Sequence, residues 1–207
     1  MGNTQTSLTR LTNKAADIAF FFQRVIAVPR RMGAIVPSSK KLADCMAEEA
    51  LKTHKHTQEF IVEVGAGTGC MTASLLEKGL SPQKLISVEL DRKLCNYMHQ
   101  RFPNIQVIHG NALHLPKLID PQLHGQVSAI VSSIPMLLFS TDERAQLFKA
   151  YFDVLKEGGQ VVQYTYGHKS PNTMPSLHQQ RVNRIYMNLP PCSVWVYRRA
   201  TAAQVQI

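Results

Sequence analysis

The sequence predicts an α/β domain built on a mainly parallel, seven-stranded sheet with helices on both faces. Three observations predict it. Five short runs rich in β-branched residues recur along the chain: FIVEV (60–64), KLISVEL (84–90), IQVIH (105–109), VSAIVSS (127–133) and QVVQYTY (160–166). Stretches of helical periodicity closed by glycine or proline alternate with several of them. The segment RVNRIYMNLPPCSVWVYRR (181–199) reads as two further strands that meet at the Pro190-Pro191 corner. Strands alternating with helices form a parallel sheet buried on both sides, and a closing antiparallel strand is compatible with it. With 207 residues the chain can fill one core but is short for two ordinary domains. The expected division is an arm over residues 1–30 and a single domain over 31–207.

In the arm, Leu8, Leu11, Ala15, Ile18, Ala19, Phe22, Val25 and Ile26 share one stripe of a helical wheel. Arg10, Lys14, Asp17 and Arg24 lie opposite or at its edges, and Pro29 ends the helix. After Pro37, Ser38 and Ser39 are expected to begin a helix. The strand at 60–64 leads to a helix over about 69–78, closed by Gly79. The strand at 84–90 leads to a helix over about 91–102, stopped by Pro103. Two more buried strands follow at 105–109 and 127–133. A long amphipathic helix is then expected from Thr141, as N-cap, to Lys156, ending at Gly158-Gly159 before the fifth strand.

Composition is that of a soluble globular protein, with 44% hydrophobic and 18% charged residues. The longest apolar runs are far too short to cross a bilayer, and no signal peptide with a cleavage site is evident. Cys45, Cys70, Cys95 and Cys192 are scattered without a C-x-x-C pair, and the eight His residues show no ligand spacing. Reduced thiols are therefore expected, and no metal site. The N-terminal MGNTQT fits a myristoylation pattern too short to carry weight. The net charge of +9 is unevenly placed: +6 over residues 1–41, −2 over 42–160 and +5 over 161–207, where no acid occurs. Basic ends around a neutral body suit an anionic partner, nucleic acid or acidic lipid.

The stretch EFIVEVGAGTGCMTASLL (59–76) joins a buried strand to a helix through a glycine-rich turn. Its glycines, Gly65, Gly67 and Gly69, with Thr68 between the last two, are spaced G-x-G-x-G rather than the G-x-G-x-x-G of dinucleotide sites. Glu63 just before the turn would repel a pyrophosphate but can bind the ammonium of an amino-acid-like cofactor. Glu89, ending the next strand, is placed to accept both ribose hydroxyls. That set suits S-adenosylmethionine better than NAD. In HGNAL (109–113), Asn111 could meet the adenine edge beside Ala112, or simply shape the turn.

VEVGAGTG, SVELD, GNAL and VSSIP resemble the successive motifs of the class I S-adenosylmethionine-dependent methyltransferases, whose domain is Rossmann-like. GAIVPSSKKLA (33–43), VVQYTYG (161–167) and NLPPCSVWVY (188–197) are similar to the bacterial phospholipid N-methyltransferases. The resemblance runs from about residue 15 to 200. It implies stepwise N-methylation of phosphatidylethanolamine towards phosphatidylcholine, and it places SSIP (132–135) beside the transferable methyl. In the related rRNA adenine dimethyltransferases this site reads N-L-P-Y, whose aromatic residue stacks on the base. Here Met136 follows Pro135, which removes a contact worth ~1–3 kcal/mol per base, and a helical C-terminal domain like that of those enzymes is not expected.

Expected acceptors for the amine proton are Ser132, the carbonyls held by Pro135, and Tyr164 and Tyr166, which strand alternation puts on one face. The tyrosines alternatively form a cation–π wall around methylated amines, or pack in the core. Ser38 and Ser39 cap a helix, and the resemblance adds a cofactor or headgroup contact there. Lys169, Arg181 and Arg184 are binders of a lipid phosphate or merely solvated. Phe22, Arg24, Arg30 and Arg31 would engage an anionic membrane if the arm lies in the headgroup layer rather than on the domain's own core. The expectation is a cytoplasmic enzyme peripherally bound to the inner face of the membrane, with a phospholipid substrate and no stable nucleic-acid partner. The alternatives are an rRNA adenine methyltransferase and a non-catalytic lipid-surface binding protein that keeps the fold.

Overall fold

Strands without a polar face have to be covered on both sides, and the chain supplies helices for both. The computed structural model describes residues 37–166, 168–172, 174–186 and 191–200, with side chains from residue 40 onward. The expected arm, its residues Phe22, Arg24, Arg30 and Arg31, the division at residues 30/31 and the Pro190 corner lie outside the described residues. In chain order the elements are α1 (Pro37–Leu51), β1 (Phe60–Val64), α2 (Cys70–Glu77), β2 (Leu85–Glu89), α3 (Arg92–Arg101), β3 (Gln106–His109), α4 (Leu115–Leu118), β4 (Val127–Ser132), α5 (Thr141–Val154), β5 (Leu155–Tyr166), β6 (Leu177–Ile185) and β7 (Cys192–Arg199).

The seven strands form one sheet in the order β3-β2-β1-β4-β5-β7-β6. β1 to β5 run parallel, and β7 is antiparallel to both β5 and β6. The chain steps outward from β1 to β3, then returns to start again at β4. Where the order reverses, between β1 and β4, the connections leave in opposite directions and open a crevice beyond the carboxyl ends of the strands.

One row across the sheet reads Ser87, Glu63, Val131, Val162 and Val196 in register. Its face is covered by α1, α2 and α3, through Met46, Ala47, Met71, Leu75 and Met98. The opposite face carries Val62, Ile86, Ile130 and Val161 under α4 and α5, through Leu115, Leu147, Phe148 and Tyr151. Phe148 is fully buried, with its ring edge-on to Tyr197 at 4.8 Å and to Tyr151 at 6.4 Å.

Local chemistry sets most boundaries. Asp91 caps α3 by accepting from the amides of Lys93 and Leu94, and Gly79 follows α2 at φ 93. The start of α5 differs from the sequence expectation. Ser140, not Thr141, is its N-cap, because Glu143 lies three residues on and closes a reciprocal capping box. The end of α5 differs too: β5 begins directly at Leu155, and Gly158-Gly159 falls inside that strand. Val127 pairs with Leu155 and Ala129 with Gln160, so the extra residues on β5 form an irregularity that Gly158 absorbs at φ 71. Truncating Phe148→Ala leaves a cavity between α5 and β7 and is expected to cost ~3–5 kcal/mol in urea unfolding.

Candidate active site

β1 ends in a turn that only glycine builds without strain. Gly65, Gly67 and Gly69 hold φ values of 74, 59 and 80, the left-handed region in which a side chain costs ~1–2 kcal/mol. At Gly69 there is also no room, since a Cβ would stand 2.3 Å from Phe102 Cε2 and 2.8 Å from Met98 Sδ. At Gly65 a Cβ would lie 3.3 Å from Ile134 Cγ1, so the loop after β4 packs against the turn. Two bonds continue the ladder past the strands and hold this junction: Gly65 N–H donates to Val88 O and Ser133 N–H to Val64 O, both at 2.9 Å. Thr68 is half-buried, and its carbonyl accepts from Arg101 Nη1 at 2.6 Å.

Glu63 is fully buried beneath this turn. Its Oε2 accepts from the Ser87 hydroxyl at 2.6 Å and from the Thr72 hydroxyl. Its Oε1 is buried and takes no protein partner. Burial pushes this carboxyl above the ordinary glutamate value; the Ser87 and Thr72 hydroxyls pull the other way, and the nearby Glu89 charge adds to the rise. A buried carboxylate with one empty acceptor is a seat for an ammonium.

Glu89 crosses the mouth of the turn. One oxygen accepts from Gly67 N–H at 2.8 Å and the other from Asp91 N–H at 2.9 Å. Both bonds orient the carboxylate and leave each oxygen further acceptor capacity, which matches a vicinal diol. Gly110 N–H donates to Glu89 O at 2.9 Å and brings the Asn111 turn alongside. Of the two readings for Asn111, the turn is the one seen: its Oδ1 accepts from Leu113 N–H at 3.0 Å and caps the short helix Ala112–His114, with Ala112 buried. The rest of the Asn111 amide is exposed.

Several sequence expectations change in the loop after β4. Ser132 is not a proton acceptor at the surface of a cleft. It is fully buried, and its hydroxyl faces Tyr151 OH at 3.3 Å on the α5 side, away from Glu63. The carbonyl that Pro135 was expected to offer is also taken. Pro135, at φ −75 and ψ 72, centres an inverse γ-turn in which Met136 N–H donates to Ile134 O at 2.8 Å. Gln163 Nε2 donates to the same oxygen at 2.9 Å, which fills both lone pairs. Sequence reasoning missed Gln163, a buried residue of β5 that pins this loop. It also passed over Ser133, half-buried where the chain leaves β4, on the side opposite Ser132 by alternation. The alignment that sets Met136 against the ring of N-L-P-Y also sets Ser133 at the asparagine, and that was the signal available.

Tyr164 and Tyr166 do share a face, and it is the Glu63 face. Their rings stand edge-on, centroids 5.6 Å apart at 88°, both half-buried. Burial raises both phenols above their ordinary value of 10.0, so they stay protonated and do not serve as bases. Arg181 is not brought to them: it extends over Trp195, 5.9 Å from the ring, on the other face. Lys169 is exposed, with its carbonyl accepting from Thr165 Oγ1 at 3.2 Å. Arg184 Nη2 meets His168 Nε2 at 2.8 Å. Ser38 and Ser39 lie in the first turn of α1, and their side chains are outside the described residues.

A family model described as a methyltransferase domain matches residues 61–159, from β1 into β5. The magnesium protoporphyrin IX methyltransferase of Synechocystis, solved with bound S-adenosylmethionine, superposes over 90% of this chain and 97% of its own, with a TM-score of 0.66 at 10% identity. Residues 61–159 thus form a methyltransferase domain, on the S-adenosylmethionine-dependent class I fold. A TehB-like methyltransferase from Corynebacterium glutamicum has the same fold, with a TM-score of 0.55 at 16% identity over 90% of this chain and all of its own. By sequence, the chain is 25% identical to the ornithine lipid N-methyltransferase of Singulisphaera acidiphila, over 67% of this chain and 74% of that one. It is 34% identical to ribosomal RNA small subunit methyltransferase A of a Synechococcus, over 37% of this chain and 25% of that enzyme.

S-adenosylmethionine fits the residues present. The orphaned Glu63 Oε1 would take its ammonium, Glu89 its ribose, the Asn111–Ala112 turn its adenine, and the glycines let it approach the backbone. Glu63→Gln tests this on two axes. Cofactor affinity measured by calorimetry is expected to fall about 10- to 100-fold, as for a lost hydrogen bond to a charged group. The cofactor-free protein is expected to gain stability at neutral pH. A carboxyl raised in the native state makes the folded form lose stability as pH climbs from its ordinary 4.5 towards the raised value, a loss that glutamine avoids. The two proteins' thermal midpoints should therefore converge as pH falls towards 4.5.

Proposed function

We propose that the enzyme N-methylates phosphatidylethanolamine and its mono- and dimethylated products towards phosphatidylcholine, at the inner face of the cytoplasmic membrane. The observation that carries this is the edge-on pair Tyr164 and Tyr166, half-buried on the same face as Glu63. β5 adjoins β4, so the pair is one strand from the loop of Ser133. An aromatic wall is built to receive an alkylammonium rather than a flat base. Met136, where the RNA enzymes carry a stacking ring, is fully buried against α5 and offers nothing to a base. The ornithine lipid relative, named for N-methylation of a lipid, supports the same class of substrate.

The bound donor supplies an electrophilic methyl on a positively charged sulfur. In-line attack by the neutral amine forms the C–N bond as the C–S bond breaks and its electrons pass to sulfur, so the chain's task is mainly positioning. The half-buried Ser133 hydroxyl is the acceptor we assign to orient the amine. Charge develops on nitrogen as the bond forms, and the tyrosine faces stabilise that charge more in the transition state than in the neutral amine. Each ammonium loses one proton to solvent before its neutral amine attacks, and the quaternary product of the third transfer carries none.

Purified enzyme with labelled donor is expected to label phosphatidylethanolamine in anionic liposomes and to leave ribosomal RNA unlabelled; label in RNA alone would establish the adenine methyltransferase instead. Tyr164→Phe should keep kcat within about threefold, while Tyr164→Ala should lose about 5- to 30-fold, the range of a desolvated cation–π contact of ~1–2 kcal/mol. Equal rates for all three proteins would remove the aromatic wall from the mechanism.

A further inference from the structure

We propose that the enzyme docks on an anionic bilayer with the carboxyl end of its sheet, through apolar side chains that ring the donor cleft. This rests on the lipid reading above. Five large hydrophobic residues are exposed among the described residues: Leu90, Tyr97, Leu137, Leu138 and Tyr186. Four of them lie at one end of the molecule. Leu90 follows β2, Leu137 and Leu138 follow β4, and Tyr186 follows β6, and these three strands all point the same way. They are far apart in sequence, so the topology alone gathers them.

The β4 loop shows how the leucines are presented. Met136 is buried against α5 and anchors a short helical turn, Met136–Leu138, while Leu137 and Leu138 stand 40% and 44% exposed beside it. The turn sits two residues past Ile134, which packs on Gly65, so the exposed pair borders the cleft itself. Apolar tips with adjacent cations are the pattern of side chains that insert at a headgroup layer.

The cations lie on the β6 side. Of the five Lys/Arg in residues 161–207, a stretch without an acid, Lys169 follows β5 and Arg184 lies near the end of β6, while Arg198 and Arg199 pair with the start of β6 at the opposite end. Arg184 contacts His168 Nε2 at 2.8 Å, lies 4.7 Å from the centre of the Tyr186 ring, and keeps a buried Nε without a partner. The acids of this end are Asp91, Asp142 and Glu143, of which Asp91 and Glu143 serve as helix caps, and the buried Glu89. β6 is three strands from β4, ~14 Å at ~4.8 Å per strand. The two-carbon link between amine and phosphate in an ethanolamine headgroup is much shorter, so Arg184 is placed to meet neighbouring lipids rather than the one being methylated. A bilayer is the occupant that matches both halves of the rim.

The test is co-sedimentation of the full chain with vesicles of phosphatidylethanolamine and phosphatidylglycerol, calorimetry with S-adenosylmethionine serving as the check that each variant is folded. Leu137→Ser/Leu138→Ser is expected to bind vesicles at least tenfold more weakly, with donor affinity unchanged. Arg184→Gln should weaken binding to these vesicles and not to vesicles of phosphatidylcholine alone. Variants that sediment like the wild type, or leucine-dependent self-association without vesicle binding, would overturn the proposal. Methylation of phosphatidylethanolamine in detergent micelles separates the two levels. Equal micelle rates for wild type and the leucine variant, with a vesicle rate lost only in the variant, support docking. A wild type inactive on that lipid in both forms sinks the substrate reading instead.

Discussion

The site depends on one costly placement: a carboxylate fully buried under β1 with an oxygen that no protein group satisfies. Left uncompensated, such an oxygen destabilises the fold, because burial removes water and returns no hydrogen bond. An ammonium delivered by a ligand would remove that cost. Ser87 and Thr72 hold the other oxygen, so the orientation of the empty one is set before anything binds. Affinity and selectivity for an amino-acid-like cofactor would then come from the same atom, whose charge would attract an ammonium and repel a pyrophosphate.

Everything nearby follows from keeping that atom reachable. The sheet order reverses between β1 and β4, which opens a crevice over Glu63, and three left-handed glycines let backbone rather than side chains line it. Glu89 braces the glycine turn through Gly67 N–H and would present its remaining acceptors to a sugar. The far wall is set by β5, where Gln163 ties down the loop after β4 and Tyr164 and Tyr166 face the space beyond. Donor and acceptor sides thus rest on adjoining parts of one rigid sheet, as in-line transfer between two bound molecules requires. An intact donor pocket also weighs against a lipid-surface protein without catalysis.

The sheet and its cofactor turn were legible in the sequence because their chemistry is local. β-branched runs, the G-x-G-x-G spacing and an acid ending β2 each signal within a few residues. The errors arose where neighbours in space decide. Thr141 looked like a cap until Glu143 was seen to pair with Ser140 instead. Gly158-Gly159 read as a helix end because nothing in the chain announces an irregularity set by pairing with β4. Ser132 and Ser133 are chemically identical in sequence. Only the register of β4, which turns Ser132 towards Tyr151, tells which one faces the cleft. Gln163 was invisible for the same reason, its partner being a carbonyl 29 residues away.

The most direct test of the central claim is a crystal structure of the enzyme with S-adenosylhomocysteine. The account predicts its ammonium within hydrogen-bond reach of Glu63 Oε1, with both ribose hydroxyls on Glu89 and the sulfur directed towards Ser133. A bound cofactor whose amino group is held elsewhere, with Glu63 Oε1 still unpaired or satisfied by water alone, would contradict it.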